Sequence, residues 1–201
     1  MANALQQLNA EMGRVVAEAR RSLVRISNGR EGQGAGTIWG ADGLVITNAH
    51  VVRRSSPKVT LPDGRALPAR VVAHDDERDL ALLSVEASGL PAIEPGDSQH
   101  LRPGEWVFAL GHPWGVAGAA TAGIVIGTGA EMPEMPASGR EWIMVSLRLR
   151  PGNSGGPLVD AQGRLIGVNT MMTGPEVGGA IPVHVVNDFV RRAMYNIRHE
   201  H

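Results

Sequence analysis

The 201 residues contain no cysteine, so the fold does not depend on disulfides and the redox character of its compartment stays open. Aromatic residues are scarce, 3% of the chain, and the first of them is Trp39. Lysine is almost absent as well: Lys58 stands alone among 19 basic residues, and the rest are arginine. Those 19 positive charges face 20 negative ones, for a formal net charge of −1, which leaves no electrostatic footprint for a nucleic-acid partner. No apolar run is long enough to span a membrane, and residues 1–20 lack the apolar centre of a secretory signal. His74, His100, His112, His184, His199 and His201 are scattered, without the i, i+4 pairing beside an acid that a helix-borne zinc site uses. No metal and no cofactor is therefore expected. Hydrophobic residues reach 43%, enough to build one large core or two small ones.

What is present, and densely, is glycine around one serine. The run PGNSGGPLV, 151–159, sets Ser154 among Gly152, Gly155 and Gly156 behind Pro151. Proline lacks an amide hydrogen and glycine has no Cβ, so this segment is no helix and can bend sharply. Such a bend can aim successive N–H groups at one point, as an acyl-transfer enzyme needs for the oxyanion formed when serine attacks a carbonyl. A surface turn holding an ordinary serine is the competing reading of so short a match.

A nucleophilic serine needs a base, and the base an orienting carboxylate. The β-branched run LVITNAHVV, 44–52, carries His50. In HDDERDLALLSV, 74–85, Asp79 is the last acid before Leu80, Ala81, Leu82 and Leu83, and so the carboxylate nearest the core. Asp75, Asp76 and Glu77 read as the solvated part of that loop, and His74 could pair with Asp75. The candidate triad is His50, Asp79 and Ser154. Its chain order, His-Asp-Ser, is the chymotrypsin order, whereas an α/β-hydrolase places the serine first and a helix after it. Here two short apolar runs around Asp160-Ala161-Gln162-Gly163 follow the serine, which is a hairpin signal. Asp160 and His184 would formally complete the other order, but only 47 residues follow Ser154.

TNAHVV, RDLALL, GDS at 96–98, ALGHPWG at 109–115, TAGIV at 121–125, PGNSGGPLV and GAIPV at 179–183 together resemble the HtrA (Deg) serine proteases of the chymotrypsin-like clan. The resemblance runs from about Val24 to the C-terminal helix. It implies an all-β fold of two six-stranded antiparallel β-barrels with an N-terminal and a C-terminal helix. The expected division is 1–23 as a helical segment, 24–97 as the first barrel with His50 and Asp79, and 98–201 as the second barrel with Ser154 plus the last helix. The oxyanion hole falls on Gly152, Asn153 and Ser154, with the N–H groups of Gly152 and Ser154 as donors. The substrate pocket falls on Arg148, Leu149, Val168, Asn169, Thr170 and Gly179. A cut after lysine or arginine needs a carboxylate at the pocket base, and Arg148 stands six residues before Ser154. Cleavage after aliphatic residues in unfolded polypeptides is what the resemblance implies, with a chaperone-like polypeptide-binding protein as the alternative. It also implies a homotrimer, although the N-terminal aromatic residues that make the family's trimer contact have no counterpart before Trp39. An extracytoplasmic location is expected if a targeting segment has been removed, and a cytoplasmic one otherwise. A PDZ domain usually follows the protease domain in this family, and the resemblance here covers the protease domain.

The remaining signals are local. The apolar stripe Met12, Val15, Val16, Ala19, Leu23 predicts a helix capped by Asn9. Asp42-Gly43 and Asp63-Gly64 predict hairpins. Val185, Val186, Phe189, Val190 and Met194 form a stripe expected to pack on the second barrel. Residues 130–140 and 171–176, rich in proline, glycine and methionine, read as mobile loops beside the oxyanion hole, whose Gly152 amide is expected to be misaligned in part of the resting population.

Overall fold

The first helix, α1 (Ala4–Arg20), begins earlier than its apolar stripe suggested. Asn3, not Asn9, is the cap: its side chain accepts the Gln6 N–H and the Gln6 side chain accepts the Asn3 N–H, a reciprocal capping box. Leu23 lies beyond the helix, at the start of the first strand. The stripe is otherwise as expected. Ala19 and Leu23 are buried with Phe108, Leu110, Val159 and Leu165, and Met12, Val15 and Val16 pack against the same cluster.

In the computed structural model, residues 3–28, 33–52, 57–130, 140–174 and 176–199 are described. Six strands follow α1: β1 (Leu23–Ser27), β2 (Gln33–Ile38), β3 (Leu44–Thr47), β4 (Lys58–Thr60), β5 (Ala66–Asp75) and β6 (Leu80–Val85). Six more are β7 (Trp106–Gly111), β8 (Ala119–Gly129), β9 (Trp142–Ser146), β10 (Pro157–Asp160), β11 (Leu165–Gly174) and β12 (Val177–Pro182). They close into two antiparallel barrels, β1-β2-β3-β6-β5-β4 and β10-β11-β12-β9-β8-β7. Closure pairs every strand on both sides and so removes exposed edges. The turns at Gly43 (φ 99°) and Gly64 (φ 89°) join β2 to β3 and β4 to β5, as the Asp-Gly signals predicted.

Alternation along the strands fills each barrel with small branched side chains. The first core holds Val24, Ile26, Ile38, Val45, Val59, Ala81 and Leu83, and the second Val107, Val125, Ile143, Val145, Leu158 and Ile166. Each fully buried valine, leucine or isoleucine among them contributes roughly 1.5–3 kcal/mol. The chain closes with α2 (Val183–His199). Val186, Phe189, Val190 and Ala193 on this helix meet Val168 and Ile181 of the second barrel, but also Ile46, Leu80 and Leu82 of the first. The terminal stripe therefore clamps both barrels rather than the second alone.

Candidate active site

His50 sits on a 3-10 turn (Ala49–Val51) where β3 runs out, and Asp79 is the residue that precedes β6. Strands β3 and β6 are neighbours in register, Thr47 opposite Ala81, so their ends bring the two residues together. Asp79 adopts φ 56°, a left-handed conformation that disfavours a residue with a Cβ by about 1–2 kcal/mol. Four hydrogen bonds hold it there. Its carbonyl accepts from Asn48 Nδ2 at 3.0 Å and its carboxylate from the His50 N–H at 3.0 Å. The carboxylate also accepts from His50 Nδ1 at 2.9 Å and from the Thr170 hydroxyl at 2.7 Å. Burial alone would raise the Asp79 pKa, but the bonds from His50 and Thr170 outweigh it and hold the carboxyl below its ordinary range. A carboxylate can only accept, so Nδ1 carries a hydrogen, and in the neutral imidazole Nε2 then keeps its lone pair. The neighbouring acids are engaged elsewhere: Asp75 accepts from the Arg78 N–H and guanidinium, and His74 lies 3.5 Å from Asp76 rather than pairing with Asp75.

The serine segment is a pair of tight turns. Pro151 and Gly152 are the corners of the first, closed by the Asn153 N–H donating to the Arg150 carbonyl at 2.8 Å, with Gly152 at φ 103°. Proline followed by a left-handed glycine is the signature of a type II turn. The Asn153 side chain accepts from the Arg150 N–H at 3.0 Å and locks the turn from inside. Asn153 therefore has its amide engaged. Among the described residues, the N–H groups of Gly152 and Ser154 have no acceptor. Gly155 (φ 83°) makes the second bend, and a Cβ there would sit 2.2 Å from the Ala35 carbonyl and the Thr47 hydroxyl. That close approach, with the Ala35 N–H donating to the Ser154 carbonyl at 2.8 Å, presses the serine turn onto β2 and β3. The Ser154 hydroxyl donates to the Thr170 carbonyl at 3.1 Å, and among the described residues no bond joins it to His50. Thr170 thus touches both ends of the constellation: its hydroxyl holds Asp79 and its carbonyl holds Ser154. Expected only as a pocket residue, it could have been found by asking which hydroxyl satisfies a carboxylate at a strand end.

The other expected pocket residues divide. Val168 and Asn169 are fully buried; Val168 is in the core, and Asn169 Nδ2 donates to the Leu110 and Pro157 carbonyls. Their side chains are packed into the body of the second barrel. Leu149 is buried, and its N–H donates to the Met172 sulfur at 2.9 Å. A Cβ built on Gly178 would come within 3.0 Å of Leu149 and 3.2 Å of Leu147, so this wall is apolar and tightly drawn. Gly179 pairs with Met171 on the adjoining ladder, and Arg148 is exposed. The segment expected as a loop at 171–176 is strand as far as Gly174, whereas residues 131–139 lie outside the described residues.

A second Ser-His-acid array lies elsewhere. Ser98 Oγ is 2.8 Å from His184 Nδ1, and His184 Nε2 is 3.0 Å from Glu141. Ser98 is only 3% exposed, and its oxygen also accepts the His184 N–H at the start of α2. That is a helix cap, closed to substrate. Asp160 is paired with Arg164 across its own hairpin. Among the described residues, no three His, Asp or Glu side chains converge as a metal site would.

Residues 34–168 match the trypsin-like peptidase domain family, a span that holds His50, Asp79 and Ser154. The chain belongs to the HtrA-type trypsin-like serine proteases. It is 39% identical over 165 residues to the mitochondrial serine protease HTRA2 of Drosophila pseudoobscura pseudoobscura, covering 80% of this chain and 39% of that protein. With the chloroplastic Protease Do-like 1 of Arabidopsis thaliana it shares 39% over 171 residues, covering 80% of this chain and 39% of the relative. The HtrA-type protease AlgW S227A variant, solved with a tripeptide, superposes with a TM-score of 0.83 at 32% identity, over 94% of this chain and 64% of that one. The HtrA-type domain thus spans about two fifths of the length of the curated relatives it matches. No helix among the described residues is long and apolar enough to cross a membrane.

Proposed function

We propose that this HtrA-type chain is a serine endopeptidase of unfolded or misfolded polypeptides. His50 is the general base, Asp79 its orienting acid and Ser154 the nucleophile. The observation that carries the reading is one continuous network across the cleft: His50 to Asp79, Asp79 to Thr170, and Thr170 to Ser154. An incoming peptide N–H that takes the Thr170 carbonyl frees the Ser154 hydroxyl to turn towards His50 Nε2. Ser154 Oγ then attacks the scissile carbonyl as Nε2 takes its proton, and Asp79 stabilises the imidazolium that forms. The oxyanion is met by the free N–H groups of Gly152 and Ser154, each worth on the order of 3 kcal/mol of transition-state stabilisation. His50 returns the proton to the leaving amine, and water releases the acyl group by the same steps in reverse roles.

Preference for an aliphatic residue before the cut rests on the wall of Leu147, Leu149 and Met172, none of which can neutralise a cation. The working division of the chain is at residue 97, with the base and acid before it and the nucleophile after it. Trimer assembly belongs to the same reading and is tested by sedimentation.

The resting bond from Ser154 to the Thr170 carbonyl favours a second reading, a polypeptide-binding protein whose proteolysis is slow or switched on by its ligand. One assay separates the two: fluorophosphonate labelling of Ser154 together with a casein digest. Labelling with cutting supports the endopeptidase. Labelling without cutting supports the binding protein, and no labelling removes Ser154 as nucleophile.

A further inference from the structure

The N-terminal helix is tied to the oxyanion turn through the ring of one histidine. His112 follows β7, and its N–H donates to the Gly152 carbonyl at 2.8 Å. A Cβ on Gly152 would lie 2.5 Å from the His112 carbonyl oxygen, so the two backbones are in direct contact. The anchored carbonyl belongs to the Gly152–Asn153 peptide, which shares the Gly152 Cα with the peptide that carries the Gly152 N–H, so His112 pins the residue that bears the donor. The ring of His112 reaches across its own loop, where Nδ1 accepts the Gly118 N–H at 3.2 Å. The Gly118 carbonyl in turn accepts from Arg20 Nε at 2.6 Å, and a Cβ on Gly118 would be only 3.2 Å from that nitrogen. Arg20 is the last residue of α1, whose apolar face is anchored on Phe108, Leu110, Val159 and Leu165. Burial depresses the His112 pKa, keeping the ring neutral and its Nδ1 lone pair available.

We propose that Arg20, Gly118 and His112 form a positioning relay that orients the Gly152 amide towards the oxyanion, with Arg20 and His112 as positioning residues for the acylation step. The inference rests on the reading of Gly152 as an oxyanion donor. Asn153 holds the turn from inside through Arg150, and the relay holds Gly152 from outside. Losing an oxyanion donor outright costs a factor of about 100–1,000 in kcat, so a misdirected one costs part of that.

The test compares wild type, His112→Leu, His112→Asn, Arg20→Ala and the double variant His112→Leu/Arg20→Ala in the full chain. The readouts are kcat and KM on an aliphatic peptide nitroanilide, the fluorophosphonate labelling rate at Ser154, and thermal midpoints. His112→Leu is expected to lower kcat and the labelling rate about 10- to 100-fold with KM within about twofold. His112→Asn, whose Oδ1 can accept the Gly118 N–H, is expected to recover most of the loss. Arg20→Ala is expected to cost about 3- to 10-fold alone and nothing further in the His112→Leu background, because coupled residues are not additive. Wild-type kcat in both His112→Leu and Arg20→Ala overturns the relay, and so do losses that multiply or a loss confined to KM. Should His112→Leu fail to fold, Arg20→Ala against His112→Asn decides by the same criteria. If wild type itself is not labelled at Ser154, the proposed function falls and the relay with it. Labelled and active wild type beside unaffected variants removes the relay alone.

Discussion

Traced from their first strands, the barrels run β1-β2-β3-β6-β5-β4 and β7-β8-β9-β12-β11-β10, the same order displaced by six strands. Their contributions to the cleft differ in kind. The first barrel offers side chains, His50 and Asp79, from the ends of adjacent strands, and tolerates a left-handed aspartate to do so. The second offers mainly backbone: the N–H groups and carbonyls of the 150–156 turns and of Thr170, with glycine wherever a Cβ would collide. A side chain can be aimed by three or four hydrogen bonds while its backbone stays regular. A backbone amide can be aimed only by bending the chain, which is why glycine is concentrated at the second barrel's rim.

The largest expected effect tests the second barrel's one chemical side chain. Ser154→Ala should lower kcat by on the order of 10⁶-fold with the thermal midpoint unchanged, since its half-exposed hydroxyl makes a single bond to a carbonyl. Residual cutting above that level, with Ser154 absent, would place the nucleophile elsewhere. The first barrel's counterpart is Asp79→Asn. It keeps the shape but turns the acceptor towards His50 into a group that can also donate, so the imidazole tautomer is no longer fixed. A loss of about 10⁴-fold in kcat is expected, while Asp75→Asn and Asp76→Asn should change little. If either of those is the crippling change, the carboxylate assignment is wrong.

Much of this comparison is visible in the sequence, and the reason is chemical. Turn glycines, β-branched runs and acids at strand ends are local requirements, so PGNSGGPLV, LVITNAHVV and RDLALL can be read where they stand. The shared strand order cannot. It comes from which β-branched runs pair, and the two barrels fill their cores with different residues at the same places, so no repeat of letters marks it. Asn3 was missed because an apolar stripe marks where a helix is buried, not where it begins, and the first two turns of α1 lie in solvent. Val168 and Asn169 are placed at the pocket by the family resemblance, which assigns positions along the chain, whereas the packing of β11 decides which way each side chain faces. The extension of β11 through Gly174 has a different origin: its pairing with β12 overrides the turn preference of its glycine.

Thr170 is where the two modes of contribution meet, since a second-barrel hydroxyl reaches the first barrel's acid at 2.7 Å. Thr170→Val removes a hydrogen bond to a charged, largely buried carboxylate, an interaction of about 1.5–3 kcal/mol. The expected loss in kcat is about 10- to 100-fold, with Thr170→Ser close to wild type. Since the carbonyl that holds Ser154 is retained in both variants, their difference reads the hydroxyl alone. Equal rates for valine and serine would mean that His50 and the first barrel hold Asp79 unaided.

The smallest expected effect lies in stability against pH, where the barrels again differ in cause. Asp79 in the first barrel has its pKa lowered by hydrogen bonds in spite of burial, and His112 in the second has its pKa lowered by burial itself. In both cases the unfolded chain binds the proton more readily than the folded one, so stability falls as pH falls. The windows are separate. The His112 contribution is fully present above the ordinary histidine value of about 6.5 and declines as pH drops from there through the lower folded value. The Asp79 contribution is present above the ordinary carboxyl value of about 3.9 and is lost only below it, together with that of Asp75, which its Arg78 bonds hold low against the opposing effect of burial. Urea unfolding from pH 7.5 to 4.5 should therefore show a shallow decline in wild type that His112→Asn flattens and Asp79→Asn does not. A slope that survives in His112→Asn would mean that the ring is not kept neutral by burial, and the decline would have to come from another group.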